Sequence, residues 1–195
     1  MGDRYDDLAE YNWLMGEIIR HEAEQAEALG ELLLRHLHPD RVVDVGCGPG
    51  IYLVPFQRQG CRVLGVDGAP EAGKSLDGSE FIHVDLRTDT LMLEPRYDLA
   101  LCIEVAEHLK PEYADHLMDI VCDAAQTVFF CAAYPGQGGE GHYNEQPQEY
   151  WRQKFQARGF RSHHLDVDIH REILSNPAYA HCGWLRWNSF LMTRG

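Results

Sequence analysis

The sequence predicts an α/β fold: a doubly wound, mostly parallel seven-stranded sheet with an antiparallel last strand, in three α/β/α layers. Three observations predict it. Short β-branched runs alternate with segments of helical period, the pattern that builds a parallel sheet through helical crossovers. Four of those runs close on a carboxylate, at Asp44, Asp67, Asp85 and Glu104. The first then breaks into Gly46-Cys47-Gly48-Pro49-Gly50, with glycines at alternate positions. Such a turn from strand into helix can bring bare amides against a ligand.

The elements follow in order. From Ile18 to Leu37 apolar residues recur at Ala26, Leu29, Leu33 and Leu37, an amphipathic helix ended by His38-Pro39-Asp40. Val42 to Val45 is the first strand and Pro49 to Gln59 the first sheet helix. Arg62 to Asp67 is the second strand. Ala69 to Ser79, rich in glycine and serine, allows at most a short helical turn. Phe81 to Leu86 and Tyr97 to Glu104 supply the third and fourth strands. Pro111 opens a helix with Ala114, Leu117, Ile120, Val121 and Ala124 on one face, before a fifth strand from Thr127 to Ala132. After a helix from Pro147 to Arg158, Arg161 to Val167 and Asn188 to Thr193 form an antiparallel pair. Tyr150 and Trp151 pack on the sheet, and Trp184 and Trp187, at helix-like spacing, fill core beneath the last strand.

Composition narrows the function. A net charge of −14 with no basic stripe argues against a nucleic-acid groove, which needs clustered Lys and Arg against phosphates. The six cysteines are scattered without a C-x-x-C pair, which argues against a zinc site or a disulfide framework and for a reducing cytoplasm. No signal peptide is read at the start, and no apolar run is long enough to span a membrane.

The glycine spacing separates two ligands. A dinucleotide fingerprint requires G-x-G-x-x-G, whereas this loop reads G-x-G-x-G. A nicotinamide-dependent oxidoreductase is disfavoured on that ground and by the lack of a Tyr-x-x-x-Lys set. The loop better suits a small zwitterion, with Asp44 facing its ammonium. Asp67, about twenty residues on, stands where an acid accepts from ribose hydroxyls in open α/β sheets.

With these motifs in place, the chain resembles the class I S-adenosylmethionine-dependent methyltransferases, a Rossmann-like fold. The resemblance implies that Gly46, Cys47, Gly48 and Gly50 with Asp44 hold the methionine end of the cofactor. It places Asp67 and Gly68 at the ribose, Asp85 and Leu86 at the adenine, and Ile103 beside the cofactor. Ile103-Glu104-Val105-Ala106-Glu107-His108-Leu109 is similar to the E-V-x-E-H-L segment of the ubiquinone-biosynthesis O-methyltransferase branch. The implied reaction is methyl transfer to a small molecule, at a hydroxyl oxygen, leaving S-adenosylhomocysteine. One domain over residues 1–195 is expected: 1–38 a helical segment and lid, 41–133 the cofactor half, 134–195 the substrate loop and last strands.

Methyl transfer from sulfonium is an in-line displacement, so the protein must position the acceptor, exclude water and take up a proton. Pro135 to Gly141 is a glycine-rich cover that leads into His142, the first candidate base, with Asn144 and Gln146 to orient a polar acceptor. Glu104 borders the cofactor and His108 is the second candidate base. Glu104, Glu107 and His108 are also similar to a segment that binds a divalent ion in small-RNA 2′-O-methyltransferases, where His142 would be a fourth ligand. The metal-free role is favoured. Tyr5, Tyr11 and Trp13 are aromatic candidates to close over the sulfonium, with Tyr11 assigned to the cofactor. The alternatives are a catalytically silent cofactor-binding partner subunit and a metal-assisted 2′-O-methyltransferase.

Overall fold

A computed structural model of the chain describes residues 8–69, 72–76, 80–93 and 96–195, with side chains from residue 22 onward. The aromatic lid residues Tyr5, Tyr11 and Trp13 lie outside the described side chains. Helix α1 runs Leu8–Leu37, followed by β1 (Arg41–Val45), α2 (Val54–Arg58), β2 (Arg62–Asp67), β3 (Phe81–His83) and β4 (Tyr97–Ile103). Then come α3 (Ala114–Ala124), β5 (Ala125–Cys131), α4 (Gln148–Ala157), β6 (Phe160–Ser162), α5 (Asp166–Ser175), α6 (Gly183–Asn188) and β7 (Phe190–Arg194).

The strands form one seven-stranded sheet in the order β3-β2-β1-β4-β5-β7-β6. The first five are parallel, and β7 runs antiparallel to both β5 and β6. The chain winds outward from β1 to β3, then crosses back to lay β4 on the other side of β1. That reversal opens a crevice beyond the carboxyl ends of β1 and β4, where ligands bind in open sheets.

Both faces of the sheet are covered, so neighbouring strand residues feed two separate cores. Val42, Leu99, Leu101, Phe129 and Leu191 pack with Ala26, Leu29 and Leu33 of α1 and with Ile173 and Leu185. Val43, Ala100, Phe130 and Phe190 pack on the opposite side with Leu117, Val121, Trp151 and Phe155. Phe130 is the hub of that second core, with ring centroids 5.4 Å from each of Trp151, Phe155 and Phe190.

The expected architecture is present, and several boundaries differ. The first sheet helix breaks into a 3-10 turn (Ile51–Leu53) and then α2, with proline in the first turn of α2. Strand β3 stops at His83, so Asp85 stands in the turn that follows rather than on the strand. The sixth strand covers only Phe160–Ser162, not Arg161 to Val167, because its pairing with β7 ends at Ser162–Met192. Helix α5 begins four residues later. Asp166 fixes its start by accepting from Leu191 N at 2.7 Å and pairing with Arg152 at 2.8 Å, while Ile169 and Ile173 bury one helical stripe. Trp187 is a further correction: it is 64% exposed rather than core. Leu185 takes the buried position on the short helix α6, and a residue two places on faces nearly the opposite way. Among the described residues no helix is long and apolar enough to cross a membrane.

Candidate active site at the carboxyl ends of β1 and β4

The glycine loop leaves β1 by bending back onto β2. Gly46 and Cys47 N–H groups both donate to Val66 O, at 2.7 and 3.1 Å, and Gly50 N donates to Cys47 O at 2.9 Å. Gly46 has φ 82°. A Cβ there would meet the Val105 side chain at 2.4 Å. Gly46→Ala therefore meets both a strained backbone and a wall, and should cost about 1–3 kcal/mol in chemical denaturation. Val105→Ala in the same chain should return the steric part only, which the double variant measures.

Asp67 closes β2 and turns its carboxylate onto the loop. Oδ2 accepts from Gly48 N at 2.9 Å and Oδ1 from Ala69 N at 2.8 Å. Burial raises its carboxyl above the usual range, opposed by those amides. Asp44, only 2% exposed, lies behind the loop. Burial, then the charge of Asp67, pushes its carboxyl up to about 7. Gly68 lies against the backbone after β3: a Cβ there would stand 3.3 Å from Val84 O. His83 Nε2 bonds Gly68 O at 2.7 Å. Asp85 instead engages Arg87 through its side chain, at 2.8 Å to Nε and 2.7 Å to a terminal guanidinium nitrogen. Leu86 is buried in the core, as is Ile103.

Beyond β4 the backbone makes an unusual turn. Glu104 has φ 53°, rare for a residue with a side chain, and its N–H donates to Cys131 O of β5 at 2.9 Å. Ala106–His108 then forms a 3-10 turn. The loop after β5 is laced onto this turn: Tyr143 and Asn144 N–H groups donate to Glu107 O at 2.8 and 3.1 Å. Gln137 Nε2 donates to Glu104 Oε2 at 2.7 Å. The two histidines meet edge to face, His108 and His142 rings 4.9 Å apart and inclined by 85°. Burial, with His142 nearby, drives His108 down to about 4, so its imidazole is neutral across the physiological range.

Glu107 is fully buried, with its carboxyl set against that of Glu104 and no cationic partner among the described residues. His108 Nδ1 is also buried. Burial and the charge of Glu104 push the Glu107 carboxyl up to about 9. One ligating atom from each of Glu107, His108 and His142 lies within 4.8 Å of the others. A buried carboxyl beside two imidazoles is, once it gives up its proton, a donor set that fits a divalent ion. Of the residues singled out in the sequence, the structure brings Glu107, His108 and His142 together, with Glu107 fully buried. Asn144 is buried, with Oδ1 accepting from Gln146 Nε2 at 3.0 Å, so this pair is bound to itself. Sequence reasoning missed Gln137 and Glu145, the polar side chains that hold the loop. The available signal was a single acid three residues after His142 in a run of otherwise unsatisfied glycine amides.

The sequence profile of the family described as "Methyltransferase domain" matches residues 18–165, more than half the chain. The chain belongs to the methyltransferase-domain family. The methyltransferase domain is 32% identical over 105 residues to the ubiquinone biosynthesis O-methyltransferase of Rhodopseudomonas palustris (strain BisB18). That match covers 51% of this chain but only 37% of the relative, so the chain spans little more than a third of that protein. Among solved structures, the Synechocystis magnesium protoporphyrin IX methyltransferase with bound S-adenosylhomocysteine superposes with a TM-score of 0.61 at 18% identity, covering 92% of this chain and 86% of that one. The Haloferax volcanii methyltransferase in complex with the Trm112 activator superposes at 0.66 and 17% identity, covering 98% and 97%. These establish that the methyltransferase domain has the class I S-adenosylmethionine-dependent fold.

Proposed function

We propose that the chain transfers the methyl group of S-adenosylmethionine to a hydroxyl oxygen of a small molecule. The cofactor lies across the ends of β1 and β2, its ribose on Asp67 and its ammonium toward Asp44. Gly46 to Gly50 contact its methionine end, and Asp85 with Leu86 line the adenine. The acceptor enters between the Glu104–His108 turn and the loop at 135–142. The single observation that carries the reading is the histidine pair beyond β4, set edge to face and closed over by a glycine loop. His142, paired with Glu145, takes the hydroxyl proton as the oxygen attacks the methyl carbon and the C–S bond breaks, so that S-adenosylhomocysteine leaves as a neutral thioether. Neutral His108 orients the hydroxyl. Glu104, held by Gln137, separates this pocket from the cofactor. Six free thiols support a reducing cytoplasm, and the acidic surface supports a small, non-polyanionic acceptor.

One observation favours a second reading: the buried Glu107 carboxyl grouped with two imidazoles. Glu107, His108 and His142 would hold a divalent ion, which lowers the pKa of a bound hydroxyl. Then the same residues serve as ligands rather than as bases.

A metabolite screen with labelled S-adenosylmethionine, run with and without a chelator, tests both. Transfer that survives chelation and falls about 10²–10⁴-fold in His142→Ala supports the base. Transfer lost to the chelator and restored by Mg²⁺, Mn²⁺ or Zn²⁺ establishes the metal reading. Binding of S-adenosylhomocysteine with no transfer to any metabolite points to the silent-subunit alternative, and binding of NAD in its place sinks the proposal.

A further inference from the structure

Within the loop after β5, which Gln137 ties to Glu104, one carboxylate gathers two of the glycine amides. Glu145 Oε2 accepts from Gly136 N at 2.8 Å, and Oε1 accepts from Gly138 N at 2.7 Å. The same Oε1 stands 3.0 Å from His142 Nδ1. The chain between these bonds passes directly over the imidazole, where a Cβ on Gly139 would lie 2.4 Å from His142 Nε2. Gly136 and Gly138 have φ of 87° and 72°. This conformation aims their amides at one point and has little intrinsic preference of its own. What fixes it is the anion they share.

We propose that Glu145 is a positioning residue that latches the glycine loop across His142 and fixes that imidazole with its proton on Nδ1. The inference rests on the reading of His142 as the group that works on the acceptor. A carboxylate that accepts from Nδ1–H leaves the other ring nitrogen bare, which an imidazole needs whether it takes up a proton or binds a cation. The same carboxylate holds the cover in place. Orientation of the base and closure of the pocket are thereby one event: a loop that swings open removes Gly136 and Gly138 from Glu145 and frees the imidazole with it. Glu145 touches neither acceptor nor cofactor in this arrangement; its effect runs through His142 and the loop.

The test needs no identified acceptor. Nitrogen-15 spectra of the His142 ring report which nitrogen carries the proton, and amide exchange reports the loop. In the full chain, the His142 ring should read as the Nδ1–H tautomer, and Glu145→Ala should convert it to a mixture. Exchange at Gly136 and Gly138 should accelerate about tenfold or more, the effect of losing one charge-assisted bond, while the Phe129 amide in β5 keeps its protection. Glu145→Gln, which retains an acceptor oxygen, should restore the tautomer and only part of the protection. Titration with S-adenosylhomocysteine should give the same affinity in all three proteins.

An unchanged His142 ring or unchanged exchange in Glu145→Ala overturns the latch. Equal loss of protection at Phe129 overturns it by making Glu145 a general fold residue, and a parallel fall in S-adenosylhomocysteine affinity overturns it by moving Glu145 to the cofactor. If wild-type protein fails to bind S-adenosylhomocysteine while the ring and loop respond as expected, the methyltransferase reading falls and the latch stands.

Discussion

Asp67→Ala weakens S-adenosylhomocysteine binding by two orders of magnitude or more. An ionised carboxylate offers about four acceptor positions. Asp67 uses one on Gly48 N and one on Ala69 N, which orients both oxygens and leaves a position on each for a ribose hydroxyl. A hydrogen bond to a charged group contributes about 1.5–3 kcal/mol, so two amount to about 3–6 kcal/mol, or roughly 10²–10⁴ in affinity. The alanine variant also releases Gly48, whose amide fixes the middle of the glycine loop, and part of the loss is that lost order. Asp67→Asn separates the two effects. It keeps the shape and one acceptor but turns an NH₂ toward a backbone donor, so its affinity should fall between wild type and alanine. Unchanged affinity of the alanine variant in titration calorimetry removes the ribose assignment.

The glycine-loop side of the candidate site was legible in the sequence because its determinants are local. Val42-Val43 alternates between two cores, the loop is written in glycines at alternate positions, and Asp67 closes its own strand. The side proposed for the acceptor depends on partners far apart in the chain. Glu107 holds Tyr143 and Asn144 through its carbonyl, and Glu104 meets Gln137 across two strands. No spacing rule announces such pairs. The same distinction governs the elements. Helix α5 carries only Ile169 and Ile173 as a buried stripe, too sparse to outweigh a strand reading of the residues before it. The length of β6 is set by where β7 stops pairing with it, a non-local fact. Trp187 was placed in the core by its spacing from Trp184, yet Leu185 already fills that place on a helix of six residues. Asp85 was placed by the likeness of its segment to a nucleotide turn, and the structure adds Arg87 as its immediate ion partner.

The affinity for S-adenosylhomocysteine should rise with pH between about 5 and 7, by up to about tenfold per unit, through Asp44. Its carboxyl is buried behind the glycine loop, and burial together with the Asp67 charge raises it to about 7 from 3.8. The free protein therefore carries Asp44 as the neutral acid over most of this range. A ligand ammonium favours the carboxylate, so binding must expel that proton, and the cost grows as pH falls below 7. The amino group of the ligand, beside its own carboxylate, is a stronger base than a peptide α-amino group and stays charged throughout the window. Asp44→Asn should flatten the profile and hold affinity near the weak, acid end. The sign on folding is opposite. A carboxyl with a folded pKa above its unfolded value stabilises the folded chain least once it is ionised, so its contribution declines from about pH 4 to about 7 and is then constant. Glu107, raised to about 9, adds a decline of its own that continues to higher pH. The difference in unfolding free energy between wild type and Asp44→Asn isolates the Asp44 part, because Glu107 is common to both. Affinity that rises while the Asp44 part of ligand-free stability falls, both absent from Asp44→Asn, is the signature expected of one buried acid waiting for a cation. A flat affinity profile in wild type removes Asp44 from the ammonium.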